Sequence, residues 1–184
     1  MPKVSEAHRD ERRRQILEGA RRAFSANGYF GTNVALLEAE IGLSRGAIFN
    51  YFPSKLELFT ALAEEDRARV GELWVEQGFE GVVRHIGEED PEWIGVYLEV
   101  GRMLRTDPEL RERWATLSSD VQERIVARYV DLQERGEIRT DVSYETVLRF
   151  LGIVVDGLVT QQGAGYPIDV EGTLTLVRSA LSPR

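Results

Sequence analysis

The stretch Thr32-Asn33-Val34-Ala35-Leu36-Leu37-Glu38-Ala39-Glu40-Ile41-Gly42-Leu43-Ser44-Arg45-Gly46-Ala47-Ile48-Phe49-Asn50-Tyr51-Phe52-Pro53-Ser54-Lys55 decides the fold. Asn33 carries an oxygen that can cap a short helix bearing Val34, Leu37 and Ile41. Gly42 stops that helix, and Ser44 caps a second one, predicted over Arg45 to Phe52. Only about three residues separate the two, which is the spacing of a helix-turn-helix. Pro53 breaks the chain, and Ser54 with Glu57 has the spacing of a capping box for a third helix.

Outward from this stretch almost everything reads as helix. Upstream, Ile16, Leu17, Ala20, Ala23 and Phe24 form a 3.6-residue stripe over Arg9 to Asn27, and Gly28 ends it. Downstream, a long helix runs from Ser54 to Gln77, a short one is expected near Val82 to Ile86, and Asp90-Pro91 and Asp107-Pro108 pair a capping residue with a proline in the first turn. They predict helices over Pro91 to Thr106 and Pro108 to Arg135, the latter closed by Gly136. The last two helices are expected over Ser143 to Gln162 and Asp169 to Leu181. Val147, Leu151, Val154, Val155, Leu158 and Val159 make the first of these apolar on more than one face. A single core does not require that, so a partner subunit is expected to cover the second face. The predicted class is all-α.

Composition narrows the function. The 184 residues include no cysteine, so disulfides, thiolate nucleophiles and thiolate metal sites are excluded, and the two histidines, His8 and His85, lie far apart with no ligand spacing. No Ser/His/Asp set and no glycine-rich phosphate loop is present, which speaks against an enzyme, and no cofactor or metal is expected. No apolar run reaches the roughly 20 residues of a membrane helix, and the first residues lack the apolar core of a signal peptide; the reading is cytoplasmic. The net charge is −8, yet the first 60 residues hold nine basic and seven acidic side chains, leaving −10 for the remainder. A mildly basic head on an acidic body suggests a head that meets a polyanion.

Gly28-Tyr29, Thr32-Asn33-Val34 and the run from Gly42 to Lys55 resemble the DNA-binding signature of the TetR family of bacterial repressors, over about residues 12 to 60. That resemblance implies a three-helix DNA-binding head, an all-helical ligand-binding body and a homodimer built by the last two long helices. The expected domains are 9–55 for the head and 56–184 for ligand binding and dimerisation. Leu104 to Pro108, Arg139 to Val142 and Val155 to Leu158 are similar to one subgroup of that family, as are Arg14 to Ala20 and Ser44 to Phe49. Asn50-Tyr51 stands where that subgroup has two histidines, and Ala35-Leu36 where it has a basic pair, so the operator is expected to differ.

The second short helix is expected in the major groove. Arg45 is the expected base reader, because a guanidinium pairs with guanine O6 and N7. Gly46 and Ala47 keep the helix close, Ala47 beside a thymine methyl, and Asn50 reads adenine or holds phosphate. Thr32, Asn33, Ser44, Tyr51 and Lys55 are candidate phosphate contacts, Lys55 in the first turn of a helix whose free N–H groups favour an anion. Phe49 flanks this face but reads first as core, as does Phe52. In the body, Arg124 and Arg128 share the apolar stripe of Leu110, Trp114, Leu117, Val121 and Leu132, where a guanidinium is costly without a partner. Arg128 is the candidate for a ligand carboxylate, the alternative being a structural salt bridge or a snorkelling side chain; Trp93, Tyr97, Met103 and Tyr129 suit a pocket wall or the core; Asp156 is a metal or ligand group, or a dimer-interface or capping partner. Glu99 lies opposite its helix's apolar stripe and is expected exposed. The effector is expected to be a small molecule: a carboxylate metabolite fits the inward arginines, and a hydrophobic drug-like compound acting on an efflux gene fits an aromatic pocket. An enzyme is the reading from another class, and an adaptor that keeps the fold without binding DNA is the third.

Overall fold

Helix starts follow the capping residues almost one for one. In the computed structural model, which describes residues 6–115 and 119–183, ten helices are seen among the described residues: α1 (Glu6–Gly31), α2 (Val34–Ile41), α3 (Arg45–Phe49), α4 (Lys55–Glu76), α5 (Gly78–Glu88), α6 (Pro91–Thr106), α7 (Pro108–Ala115), α8 (Ser119–Glu134), α9 (Tyr144–Gly163) and α10 (Val170–Leu181). Side-chain oxygens of Asn33, Ser44, Ser54, Asp107, Ser143 and Asp169 accept the N–H groups of Leu36, Ala47, Glu57, Leu110, Thr146 and Gly172, each three residues on. These are N-caps, each satisfying one of the donors a helix leaves free.

Three boundaries differ from the sequence reading. Gly28 does break the first helix (φ 69°, ψ 169°), but one more turn follows it to Gly31. α3 stops at Phe49 because Pro53 disfavours helix just before it; Tyr51 N–H closes a tighter bond to Ile48 O at 3.0 Å instead. α5 starts four residues early, since Gly78 turns the chain with φ 68° and Phe79, Val82, Val83 and Ile86 then supply a continuous buried stripe. The single helix expected over Pro108 to Arg135 is described as α7 and α8; Leu117 and the side chain of Trp114 lie outside the described residues. The C-terminal glycine works as expected: Gly136 (φ 66°) lets Glu137 N–H reach back to Leu132 O at 2.9 Å.

The chain divides into two compact units. The first comprises residues up to Asp66 together with Gly95–Trp114. Its core joins Ile16, Leu17, Ala20, Ala23 and Phe24 of α1 to Leu37, Ile41, Ile48, Phe52, Leu58, Phe59 and Leu62. Gly19 lets α1 lie directly on α2: a β-carbon there would come within 2.7 Å of Ile41 Cγ1. Phe24, Tyr29 and Phe59 pack ring on ring at 5.3–5.8 Å, a geometry worth about 0.5–1.5 kcal/mol per pair beyond burial. Asp66 ties two helices together, accepting from Arg21 at 2.9 Å and from the Tyr97 hydroxyl at 2.8 Å.

The second unit comprises Arg67–Ile94 and the chain from Ala115 onward. Phe79, Val82, Val83 and Ile86 of α5 pack with Val121, Ile125 and Tyr129 of α8, Val147, Leu151 and Leu158 of α9, and Leu174 and Val177 of α10. Bidentate pairs rim this core: Arg124 on Glu72 at 3.0 and 2.9 Å, and Arg178 on Glu80 at 2.7 and 2.5 Å. Arg124 is therefore exposed and paired, not turned inward.

Candidate functional site

The end of α3 is built to be reached from outside. Ser44 caps it, the Arg45 N–H donates to Glu38 Oε1 at 2.6 Å, and the Arg45 guanidinium lies 5.8 Å from the Phe49 ring centre. Among the described residues that guanidinium carries no hydrogen bond and no ion pair. Gly46 is exposed, with nothing near the position a β-carbon would take. A surface can therefore approach the α3 backbone closely there. Asn50 is exposed, Ala47, Phe49 and Tyr51 are half-buried, and Asn50 and Tyr51 share one open cleft with Arg9 and Arg13 of α1. Phe52 is core, as expected.

Two residues expected at phosphate are turned inward. Thr32 is 1% exposed, and its hydroxyl lies 2.7 Å from Gly28 O and 3.1 Å from Ala23 O. A buried hydroxyl satisfied by carbonyls has nothing left to offer DNA. Lys55 Nζ donates to Tyr29 O and Thr32 O, both at 2.8 Å, and sits 4.4 Å from the Tyr29 ring centre. Burial pushes its pKa down, while the nearby Glu99 carboxylate opposes that shift. Glu99, expected exposed, is half-buried and takes the Phe30 N–H at 3.3 Å. A β-carbon on Gly28 would collide with its carboxylate. Thr32, Lys55 and Glu99 thus hold the turn between α1 and α2 from three sides. Asn33 adds its cap at the exposed end of the turn. Glu99 and the Glu38 bond leave no periodic signal in the sequence because their partners, 69 and 7 residues away, lie on other helices.

The arginines of α1 are mostly spoken for. Arg12 bonds Gln15, Arg14 pairs with Glu11, and Arg13 bonds Glu65 at 2.5 Å while lying 5.6 Å from the Phe52 ring centre.

The ligand candidates do not gather in one place. Tyr97 and Met103 belong to the first unit; Trp93, Arg128 and Asp156 belong to the second. Trp93 is fully buried, and Asp156 is exposed on α9. Only Arg128 lines the cleft of about 480 Å³ among Gln77–Glu80, Tyr129, Leu132, Leu174, Val177 and Arg178. Its Nη1 donates to Val75 O at 3.2 Å, and its Nε is buried without a partner. Gly78 makes room: a β-carbon there would stand 3.1 Å from Arg128 Nη2. Tyr129 beside it has its hydroxyl pKa pushed up to about 12 by burial. Among the described residues no group of acidic or histidine side chains is arranged to hold a metal ion.

A three-helix head with an open helix end of this kind, on an all-helical body, defines a helix-turn-helix transcription regulator. Residues 16–62 match the model of bacterial regulatory proteins of the tetR family, and residues 82–182 match the C-terminal model of BetI-type transcriptional repressors. The chain belongs to the TetR family. It is 39% identical over 184 residues to the HTH-type transcriptional repressor AcnR of Corynebacterium diphtheriae, covering 98% of this chain and 97% of that one. To AcnR of Corynebacterium glutamicum it is 44% identical over 173 residues, covering 88% and 92%. The subgroup likeness read from the sequence, to the actinobacterial aconitase repressor, is borne out by these relatives. Among solved structures, Salmonella enterica GusR superposes with a TM-score of 0.69 at 23% identity, covering 96% of this chain and 95% of that one. A TetR transcription regulator from Haloarcula marismortui does so with 0.69 at 19%, covering 94% and 98%. These two show the fold. The relatives are regulators, not enzymes, and among the described residues no helix is long and apolar enough to cross a membrane.

Proposed function

We propose that the chain is a ligand-responsive repressor that binds a near-palindromic operator as a homodimer in the cytoplasm and leaves it when a small carboxylate metabolite binds. Residues 9–55 read DNA; residues 56–184 bind the effector and dimerise through α9 and α10. The observation that carries this reading is the end of α3, where an Arg45 guanidinium without an acceptor stands beside the open Gly46. Arg45 reads guanine, Ala47 and Asn50 touch bases further along, and Ser44, Asn33 and Tyr51 hold phosphates. Lys55 and Thr32 act on DNA only through the turn they hold.

The anionic effector is supported by Arg128, whose buried Nε lacks a partner in a cleft it shares with Phe79, Leu132, Leu174 and Val177 and with the polar Gln77, Glu80, Glu137 and Arg178. A carboxylate satisfies a guanidinium in bidentate fashion. Its binding moves α4, whose last residue Glu76 adjoins the cleft-lining Gln77, and the spacing of the two heads changes with it. Release is then a shift between two head spacings, only one of which fits successive major grooves.

Selection of bound sequences from a random DNA pool tests the reading. An enriched motif of two inverted half-sites is expected; folded protein that enriches nothing overturns it in favour of the non-binding adaptor. A panel of di- and tricarboxylates, read by thermal shift and repeated with Arg128→Leu, tests the effector class. No shift from any member rejects a carboxylate.

A further inference from the structure

The outer face of α9 carries a charge pattern that fits its own copy. Val147, Leu151 and Leu158 point into the core of the second unit. On the opposite side Arg149, Ile153, Asp156 and Thr160 recur at spacings of four, three and four, one stripe of a helix, and all are exposed. Ile153 is 65% exposed, and Leu176 on α10 is 73% exposed. The other exposed arginines of this unit have acceptors: Arg84 pairs with Glu171, Arg124 with Glu72, Arg135 with Asp131 and Arg178 with Glu80. Among the described residues the Arg149 guanidinium has none, and the Asp156 carboxylate has no donor.

We propose that in the homodimer Arg149 of each protomer pairs with the partner's Asp156, across a two-fold axis that crosses α9 between Gly152 and Ile153. The proposal rests on the homodimer reading and fixes its register. A two-fold axis perpendicular to α9 sets the two copies antiparallel and makes residues equidistant from it face each other. Arg149 and Asp156 are seven residues apart, about 10.5 Å along the helix, so each pair lies about 5 Å from the axis. Their opposite signs then meet twice. A parallel, in-register approach would set arginine on arginine. Gly152 and Gly157 have nothing near the positions their β-carbons would take, so a second helix can come close. Ile153 meets its own copy next to the axis, and Phe150 and Leu176 flank it. Asp156 thereby gets an interface role rather than a ligand one.

Co-expression of Arg149→Asp and Asp156→Arg chains carrying different mass tags, analysed by native mass spectrometry, tests the register. Each variant alone sets two like-charge pairs in its homodimer, whereas the mixed dimer restores two opposite-charge pairs. The ratio of heterodimer to total homodimer, one for random pairing, is expected to rise about tenfold or more. The double variant R149D/D156R is expected to form homodimers again and to avoid the wild-type chain. Both positions are exposed, and unchanged helical circular dichroism verifies that each variant folds. Dimers in statistical proportions overturn the register while leaving the homodimer standing. A wild-type chain that stays monomeric at concentrations where it binds DNA overturns the homodimer reading, and the register falls with it.

Discussion

The end of α3 and the turn from Gly28 to Thr32 belong to the same head and draw on the same kinds of residue, yet they are built in opposite ways. At α3 the polar groups face outward with their bonding capacity unspent: Arg45, Asn50 and the open backbone at Gly46. At the turn the polar groups face inward and are used up on carbonyls and an amide: Thr32, Lys55 and Glu99. In the proposed function one set reads DNA, and the other holds the reader in shape. A motif names both sets together; burial and hydrogen-bond partners tell them apart.

The strongest way to break the comparison is at Gly28. Its φ of 69° with ψ of 169° is a conformation that is essentially glycine's alone, and its missing side chain is where the Glu99 carboxylate lies. Gly28→Ala is expected to cost about 1–3 kcal/mol for the backbone conformation alone, and more because Glu99 must move. A melting temperature within a degree of wild type would show that the turn is not held from this side.

Lys55→Met comes next. It leaves the Tyr29 and Thr32 carbonyls without their donor, and a buried group so orphaned costs about 1–3 kcal/mol. The loss is expected in thermal unfolding. The slope of DNA affinity against salt is expected to stay at the wild-type value, because Lys55 spends its charge inside the head. A slope lower by roughly one would mean that Lys55 meets a phosphate, and the division between reading and holding would then fail at this residue.

How much of this was legible in sequence follows from the range of each interaction. Caps at Asn33, Ser44, Ser54 and Asp107 act three residues away, and glycine stops act at their own position, so they can be read from spacing. The helix-turn-helix followed from those signals, and the all-α class from them together with apolar stripes such as Ile16, Leu17, Ala20, Ala23 and Phe24. Arg124 and Arg128 looked alike on one stripe, because helical periodicity cannot say that Glu72 waits for one and not the other. Glu99 looked solvated because its partners are on α1, and the sequence holds no mark of a contact 69 residues away. Asp156 was equally open between ligand and interface, and its exposure on the outer face of α9, on which the interface proposal draws, is invisible to helical periodicity alone.

Arg45→Ala sharpens the comparison from the reading side. The loss of a bidentate pair to guanine is expected to cost about 1–3 kcal/mol of operator affinity and to relax preference at one base position. Because the guanidinium bonds nothing in the protein, thermal stability is expected to stay unchanged. A stability loss comparable with that of Lys55→Met would place Arg45 among the residues that hold the head. Unchanged affinity and preference would remove it from the reader altogether.

The smallest effect is expected in the second unit and measures what an ordinary surface pair contributes. Arg178 bonds Glu80 between α10 and α5 and holds its carboxyl below the usual carboxylate range, chiefly through those hydrogen bonds. A carboxyl whose pKa is lowered on folding adds stability that is complete above its unfolded value of about 4.5 and is lost as pH falls through the lowered, folded value. Both side chains are about half exposed, so solvent screening keeps the contribution below about 1 kcal/mol. Glu80→Gln is therefore expected to lower the melting temperature slightly at neutral pH and to match wild type once the pH is below the folded pKa. A difference that persists at acid pH would mean that the glutamine disturbs packing between the helices, and the pair would then say nothing about charge.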